Sequence, residues 1–174
     1  MSLPATYTDI NETQCCAVPD IDQWDQKVVD FQNQQFMRLR TRSFMYVPLN
    51  MAGVMTKLQQ EAQRAHVSMP PNQVMTLSRD LSPWQAEHLY AVTAPVPGAD
   101  NVILDGEFAS KVFEGPYGDA KVWMDGIRKY ARSLGRVAGD VYFFYTTCPK
   151  CAKHYGKNYV IALTKLVGSN LPTT

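Results

Sequence analysis

Two short segments carry residue types that could do chemistry. The first is Trp84-Gln-Ala-Glu87-His88, which sets a carboxylate and an imidazole beside a large ring. A carboxyl group sunk among aromatic side chains is pushed towards its neutral form and can exchange protons near neutral pH. Glu87 is therefore the candidate general acid or base, with His88 supporting it. The plainer reading is a polar cap on a solvated link, since Glu and His in loops usually face water. The second segment is Cys148-Pro-Lys-Cys151, followed by His154. Three readings of it stay open. Two thiolates, His154, and Cys15 or Cys16 would supply the four ligands of a tetrahedral zinc site. Alternatively, Lys150, Lys153 and Lys157 would favour the thiolate and make the pair reactive. Third, the cysteines are small reduced packing residues. The segment reads as a hairpin loop, which sets it apart from the strand–helix junction of a thioredoxin-like motif. Cys148 and Cys151 are carried forward as reactive-thiol candidates, and no metal and no cofactor is assigned.

Aromatic residues could wall a ligand site. Trp84, Tyr90, Tyr117, Trp123, Tyr142 and Tyr145 offer flat, rigid faces, and the phenols can orient a ligand. Trp123 falls on the apolar stripe of a helix. Tyr142 and Tyr145 point to opposite faces of one strand and cannot both line one pocket. About half of the six should be core or surface. Trp84, Tyr90, Tyr117, Trp123 and Tyr145 are kept as ligand-binding candidates. Arg38, Arg40 and Arg42 project from one strand face, where they could hold an anion or guard an exposed sheet.

These residues must be positioned by a modest chain. It has 174 residues, 45% hydrophobic and 19% charged, with net charge +1. That suits one soluble domain with a real core. The charge balance leaves no basic surplus for nucleic acid. There is no apolar stretch of about eighteen residues for a membrane span, and no signal-peptide pattern at the start. The expected location is the cytoplasm, where four cysteines would not form a disulfide framework.

Along the chain, residues 1–33 lack strong periodicity and read as a loosely packed arm, pinned by Trp24, Val28, Val29 and Phe31. Residues 36–96 and 108–167 each read as strand, helix, strand, strand. In the first copy, Met51, Met55, Leu58, Ala62 and Ala65 fall at helical spacing, and Pro70-Pro71-Asn72 stops the helix. Val74–Ser78 and Leu89–Val96 would be joined by a polar link, Arg79–His88. In the second copy, Ala120, Trp123, Ile127, Tyr130 and Leu134 form the stripe, with Asp119 as N-cap and Gly135 as C-cap. Val141–Thr146 and Tyr159–Leu166 follow as strands around a loop, Thr147–Asn158. Residues 168–174 form a tail. The expected fold is α+β: residues 34–167 as one domain of two repeats with pseudo-two-fold symmetry. Its antiparallel sheet would carry both helices on one face, with a ligand cleft between the repeats.

The segment Phe108-Ala-Ser-Lys-Val-Phe-Glu-Gly-Pro-Tyr-Gly-Asp-Ala120 resembles the signature of the GyrI-like family, also called the bacterial effector-binding domain. The resemblance covers roughly residues 34–167. Ser82-Pro-Trp-Gln-Ala-Glu-His88 and the run from Thr146 to Tyr159 are similar to a stand-alone subgroup labelled hydrolase. The resemblance implies an aromatic-lined small-molecule site. It also implies that stand-alone members bind drugs or toxins, some hydrolysing strained electrophilic compounds. Members fused to a DNA-binding domain are sensors, and this chain has no room for such a module. Many members place a glutamate at the start of the last strand. Here that place reads Lys157-Asn158-Tyr159, so Asn158 joins the ligand-binding candidates and Glu87 is the nearest substitute acid. The expected function is binding of a hydrophobic or aromatic compound, with hydrolysis of small electrophiles as its enzymatic form. The alternative is a non-catalytic effector sensor or an inhibitor of a partner protein. No nucleic-acid or membrane partner is expected.

Overall fold

The computed structural model describes residues 3–168, so the expected tail beyond Gly168 lies outside the described residues. The chain forms two compact units. One is Gln32–Asp105, and the other joins Met1–Phe31 to Gly106–Thr174. Among the described residues no helix is long and apolar enough to cross a membrane.

The 32–105 unit contains β2 (Gln34–Phe44), β3 (Val47–Pro48), α1 (Met51–Arg64), β4 (Thr76–Ser82), β5 (Gln85–Val92) and β6 (Asn101–Leu104). All pairings are antiparallel: β5 lies between β4 and β2, β6 runs beside the first part of β2, and β3 folds back on its end. The expected link Arg79–His88 is instead the tip of a tight hairpin, with Pro83 and Trp84 between β4 and β5. Polar side chains along 79–85 masked a strand that pairs with β5 on either side of an irregularity between Asp80 and Ser82. Helix α1 buries Val54, Leu58 and Ala62 against Met37, Tyr90 and Val92. A helix of this length is marginal alone. Burying one such aliphatic side chain contributes about 2 kcal/mol, so the apolar stripe holds α1 in place.

The helix ends earlier than the prolines suggested. His66 takes φ 57°, and its N–H donates to Gln63 O while the N–H of Val67 donates to Ala62 O. This is a Schellman closure with histidine in the left-handed position normally given to glycine.

The other unit contains β1 (Lys27–Asp30), β7 (Glu107–Glu114), α2 (Ala120–Ser133), β8 (Val137–Tyr145), α3 (Pro149–Tyr155) and β9 (Tyr159–Val167). Its antiparallel order is β1-β7-β9-β8. On one face α2 packs Trp123, Ile127 and Ala131 against Ala109, Val141, Phe143, Val160 and Ala162. On the other face lies the arm, which is far from loose. Phe31 packs on Phe108 at 4.5 Å, Tyr7 meets Phe144 at 6.1 Å, and Ser110 Oγ donates to Trp24 O at 2.7 Å. Val28, expected to pin the arm, is 45% exposed, because alternation along β1 turns it away from Val29. Asp119 occupies the N-cap of α2 without a side-chain capping bond, while Gly135 (φ 71°) closes the other end as expected. The run 147–158 is not a plain loop, since α3 forms within it.

In the 32–105 unit β5 lies between β4 and β2, and in the other unit β9 lies between β8 and β7, with β1, β3, β6 and α3 as further elements. The fold is mixed α and β on antiparallel sheet.

Replacing His66 by glycine should relieve the left-handed backbone. After the greater chain entropy of glycine is deducted, the gain is roughly 0.5–1 kcal/mol. Thermal melts should show Tm rising by about 2 °C, and His66→Ala should show no gain.

Candidate functional site

Glu87 and His88 sit in the middle of β5 and, as strand neighbours, face opposite sides of the sheet. Both are only 2% exposed. Register places Arg40 and Arg79 across from Glu87. Arg79 Nε and Nη2 both donate to Glu87 Oε1, at 2.9 and 2.6 Å. Arg38 Nη1 stands 3.6 Å from Oε2 and holds Asp100 at 2.8 Å with its Nε. Glu87 is thus a buried carboxylate set among guanidinium groups. The aromatic surround expected from the sequence is missing nearby: Trp84 is at the hairpin tip, 56% exposed, against Phe44.

His88 faces the α1 side of the sheet. Its Nδ1 lies 2.8 Å from Ser78 Oγ and its Nε2 3.0 Å from Thr41 Oγ1. Burial lowers its pKa from 6.5 to about 4, so the ring is neutral at physiological pH. Two hydroxyls hold it in place. It supports Glu87 only through the shared strand.

A second cluster forms at one end of the other unit. Gly115 has φ 133°, a conformation suited to glycine, and a Cβ there would come within 3.1 Å of the Asp119 carboxylate. The turn it makes delivers Tyr117, 44% exposed, edge-on to Tyr145 at 5.4 Å. Asn158 Nδ2 donates to Gly115 O at 2.8 Å, tying the start of β9 to that turn. Its Oδ1 is buried with no partner among the described residues. Lys157 pairs with Glu114 at 3.2 Å, which raises the lysine pKa.

All four cysteines gather beside these tyrosines. The sulfurs of Cys15, Cys16, Cys148 and Cys151 lie within 4.8 Å of one another. Cys148 caps the start of α3, Pro149 fills its first turn, and Cys151 is buried one turn on. Gln14, with φ 54°, turns the arm just before Cys15. The Cys148 N–H donates to Cys16 Sγ at 3.5 Å, and Cys151 Sγ meets Thr13 Oγ1 at 3.2 Å. The hydrogen bond with Thr13 and those with neighbouring cysteines bring the Cys151 thiol down to about 6, whereas burial pushes Cys16 up to about 12. The expected lysines play no part in that lowering. Nor does His154 join the sulfurs. It lies at the exposed end of α3, 2.9 Å from Glu12 Oε2.

The remaining candidates are placed apart. Tyr90 and Trp123 are buried in the cores beneath α1 and α2. Tyr142 is buried on the sheet face opposite Tyr145. Arg38, Arg40 and Arg42 do share a face, and Arg38 is engaged by acids. Sequence reasoning missed Arg79, Ser78, Thr41 and Thr13. The first three could have been found only from register, because each sits directly across from Glu87 or His88, or diagonally on a neighbouring strand.

The mixed fold on antiparallel sheet thus carries a buried acid in one unit and, in the other, a tyrosine pair of which Tyr117 is exposed. The chain belongs to the family described as bacterial hydrolase, whose sequence profile matches residues 6–166. No curated protein matches it. Among solved structures, an uncharacterized conserved protein from Listeria innocua aligns with TM-score 0.58 at 10% identity, over 83% of this chain and 93% of that one. A hydrolase from Listeria innocua aligns with TM-score 0.57 at 12% identity, over 83% and 92%. These two share the fold. SAV2435, solved bound to tetraphenylphosphonium, aligns with TM-score 0.48 at 11% identity over 83% and 94%, too distant to bear on this chain.

Removing Arg79 should strand the Glu87 carboxylate. Arg79 is itself about a quarter exposed (24%), so Arg79→Met should cost about 2 kcal/mol in urea melts, below the range for a fully buried pair. Changing Glu87 to Met as well should recover most of that loss.

His88 also predicts a pH dependence. Between 6.5 and about 4 the unfolded chain binds a proton that the folded chain refuses. Stability should therefore fall as pH drops through that window, by on the order of 3 kcal/mol. In melts across pH 4–7, His88→Gln should flatten this acid limb.

Proposed function

We propose that the protein binds a hydrophobic or aromatic small molecule and hydrolyses it, as a detoxifying member of the GyrI-like group. The like placement of β5 between β4 and β2 and of β9 between β8 and β7 supports the reading of one unit used twice. Family membership supports hydrolysis. The Tyr117–Tyr145 pair supports an aromatic or cationic ligand, because the exposed Tyr117 ring, backed edge-on by the partly buried Tyr145, offers a flat face and a phenol oxygen.

The observation that carries the catalytic part is the asymmetry of Glu87. Oε1 accepts both bonds from Arg79, whereas Oε2 faces Arg38 at 3.6 Å, beyond hydrogen-bond length. The second oxygen thus keeps lone pairs for a water. In this mechanism Glu87 takes a proton from water as it attacks an electrophilic carbon, and Arg79 fixes the carboxylate plane. Arg40, on the same face, stabilises the negative charge that develops on the leaving oxygen. His88 acts as a positioning residue, and Asn158 positions the Tyr117 turn.

A specific observation favours the second reading, a non-catalytic sensor or partner-protein inhibitor. The start of β9 reads Lys157-Asn158-Tyr159, with no acid. The two readings part on product. Glu87→Gln, assayed with aromatic epoxides and activated aryl esters, should lower turnover by about 100-fold or more while ligand binding stays near normal. Unchanged turnover would remove Glu87 from the mechanism. Saturable binding without product in the natural protein would favour the sensor.

A further inference from the structure

We propose that Cys15, Cys16, Cys148 and Cys151 hold one zinc ion as a closed tetrathiolate site. The proposal is independent of the hydrolase reading. Four thiolates about 2.3 Å from a tetrahedral ion stand about 3.8 Å apart. Cys15 Sγ and Cys16 Sγ are 3.8 Å apart, and all four sulfurs fit within 4.8 Å. None is bonded to another. The site therefore has the dimensions of the ion's coordination shell, and a disulfide would require one pair to close far beyond them.

The ligand set also selects the metal. Four soft sulfurs with no carboxylate or imidazole among them suit zinc or iron and repel magnesium and calcium. The two pairs come from chain segments far apart, with Cys16 and Cys148 separated by 132 positions. Each is presented by a local device. Pro149 and the first turn of α3 set Cys148 and Cys151 three residues apart on one side of the helix. The left-handed Gln14 turn presents the vicinal pair. Around them, the Cys148 amide donates to Cys16 Sγ, the kind of bond that outer shells of thiolate sites use, and Cys151 Sγ donates to the Thr13 hydroxyl oxygen. The Tyr155 hydroxyl donates to Cys16 O at 2.8 Å and fixes the arm from the other side.

With four protein ligands, no position remains for water, so the ion does not perform the hydrolysis. Its work is to clasp the arm onto the β8–α3 junction. On binding, the thiols become thiolates and their protons pass to buffer.

The test uses the whole protein, prepared anaerobically without added metal. Elemental analysis should find one zinc per chain. After zinc is stripped, cobalt(II) should bind once per chain. It should give the visible bands of a tetrahedral site together with sulfur-to-cobalt charge transfer in the near ultraviolet. Cys16→Ser should weaken the charge transfer, while His154→Ala should leave stoichiometry and spectrum unchanged. Stripping zinc should lower Tm and open the arm to protease near residues 13–16. Failure to bind either ion, a disulfide between the two pairs in the anaerobic protein, or loss of the cobalt spectrum in His154→Ala would overturn the site. One iron per chain in place of zinc would overturn the metal assignment.

Discussion

Each unit is organised around one central strand. β5 pairs along both sides with β2 and β4, and β9 does so with β7 and β8. Seven of the eight residues of β5 are buried, so nearly every side chain it carries must be accommodated inside the protein. For the apolar ones that is simply packing. For Glu87 and His88 it is a constraint on three strands at once, because neighbours on a strand look in opposite directions and each needs its own partners.

The two residues meet that constraint by different chemistry. An ionised carboxylate withdrawn from water is costly unless oppositely charged donors replace its hydration. Arg79 supplies two of these from β4 and Arg38 a third, more distant, from β2. His88 is the converse case. With its ring nitrogens occupied by Ser78 and Thr41, it needs no charge, and burial favours the neutral ring. One face of the same strand is therefore electrostatically rigid and the other is a neutral hydrogen-bonded strut. For the base proposed above, the first arrangement is the useful one, since fixed charges around a carboxylate do not have to reorganise during a proton transfer.

Helices α1 and α2 and most of the longer strands were legible because their signals are local. Periodicity of 3.6 marked α1 and α2, and the apolar runs of β8 and β9 marked themselves. What failed was decided by partners distant in sequence. The 79–88 segment reads polar because Arg79 and Glu87 satisfy each other across the hairpin. The arm reads loose because its anchors, Trp24 and Phe31, meet residues more than seventy positions away. His66 carries no sequence mark of a helix stop, since histidine is tolerated rather than favoured at positive φ. At the thiols, the CxxC spacing was informative and His154 was a misleading neighbour. Proximity in sequence put it on the same short helix, but the chain's path brought both Cys15 and Cys16 in its place.

The arm's course across the sheet of the 106–168 unit sets an order on assembly. A nascent chain leaves the ribosome amino end first, so β1 emerges while β7, its partner, is still unsynthesised. The 32–105 unit is continuous and can condense as soon as it is complete. The unit made from both chain ends must wait for the final strand. Until then Trp24, Phe31 and the vicinal cysteines travel without their counterparts.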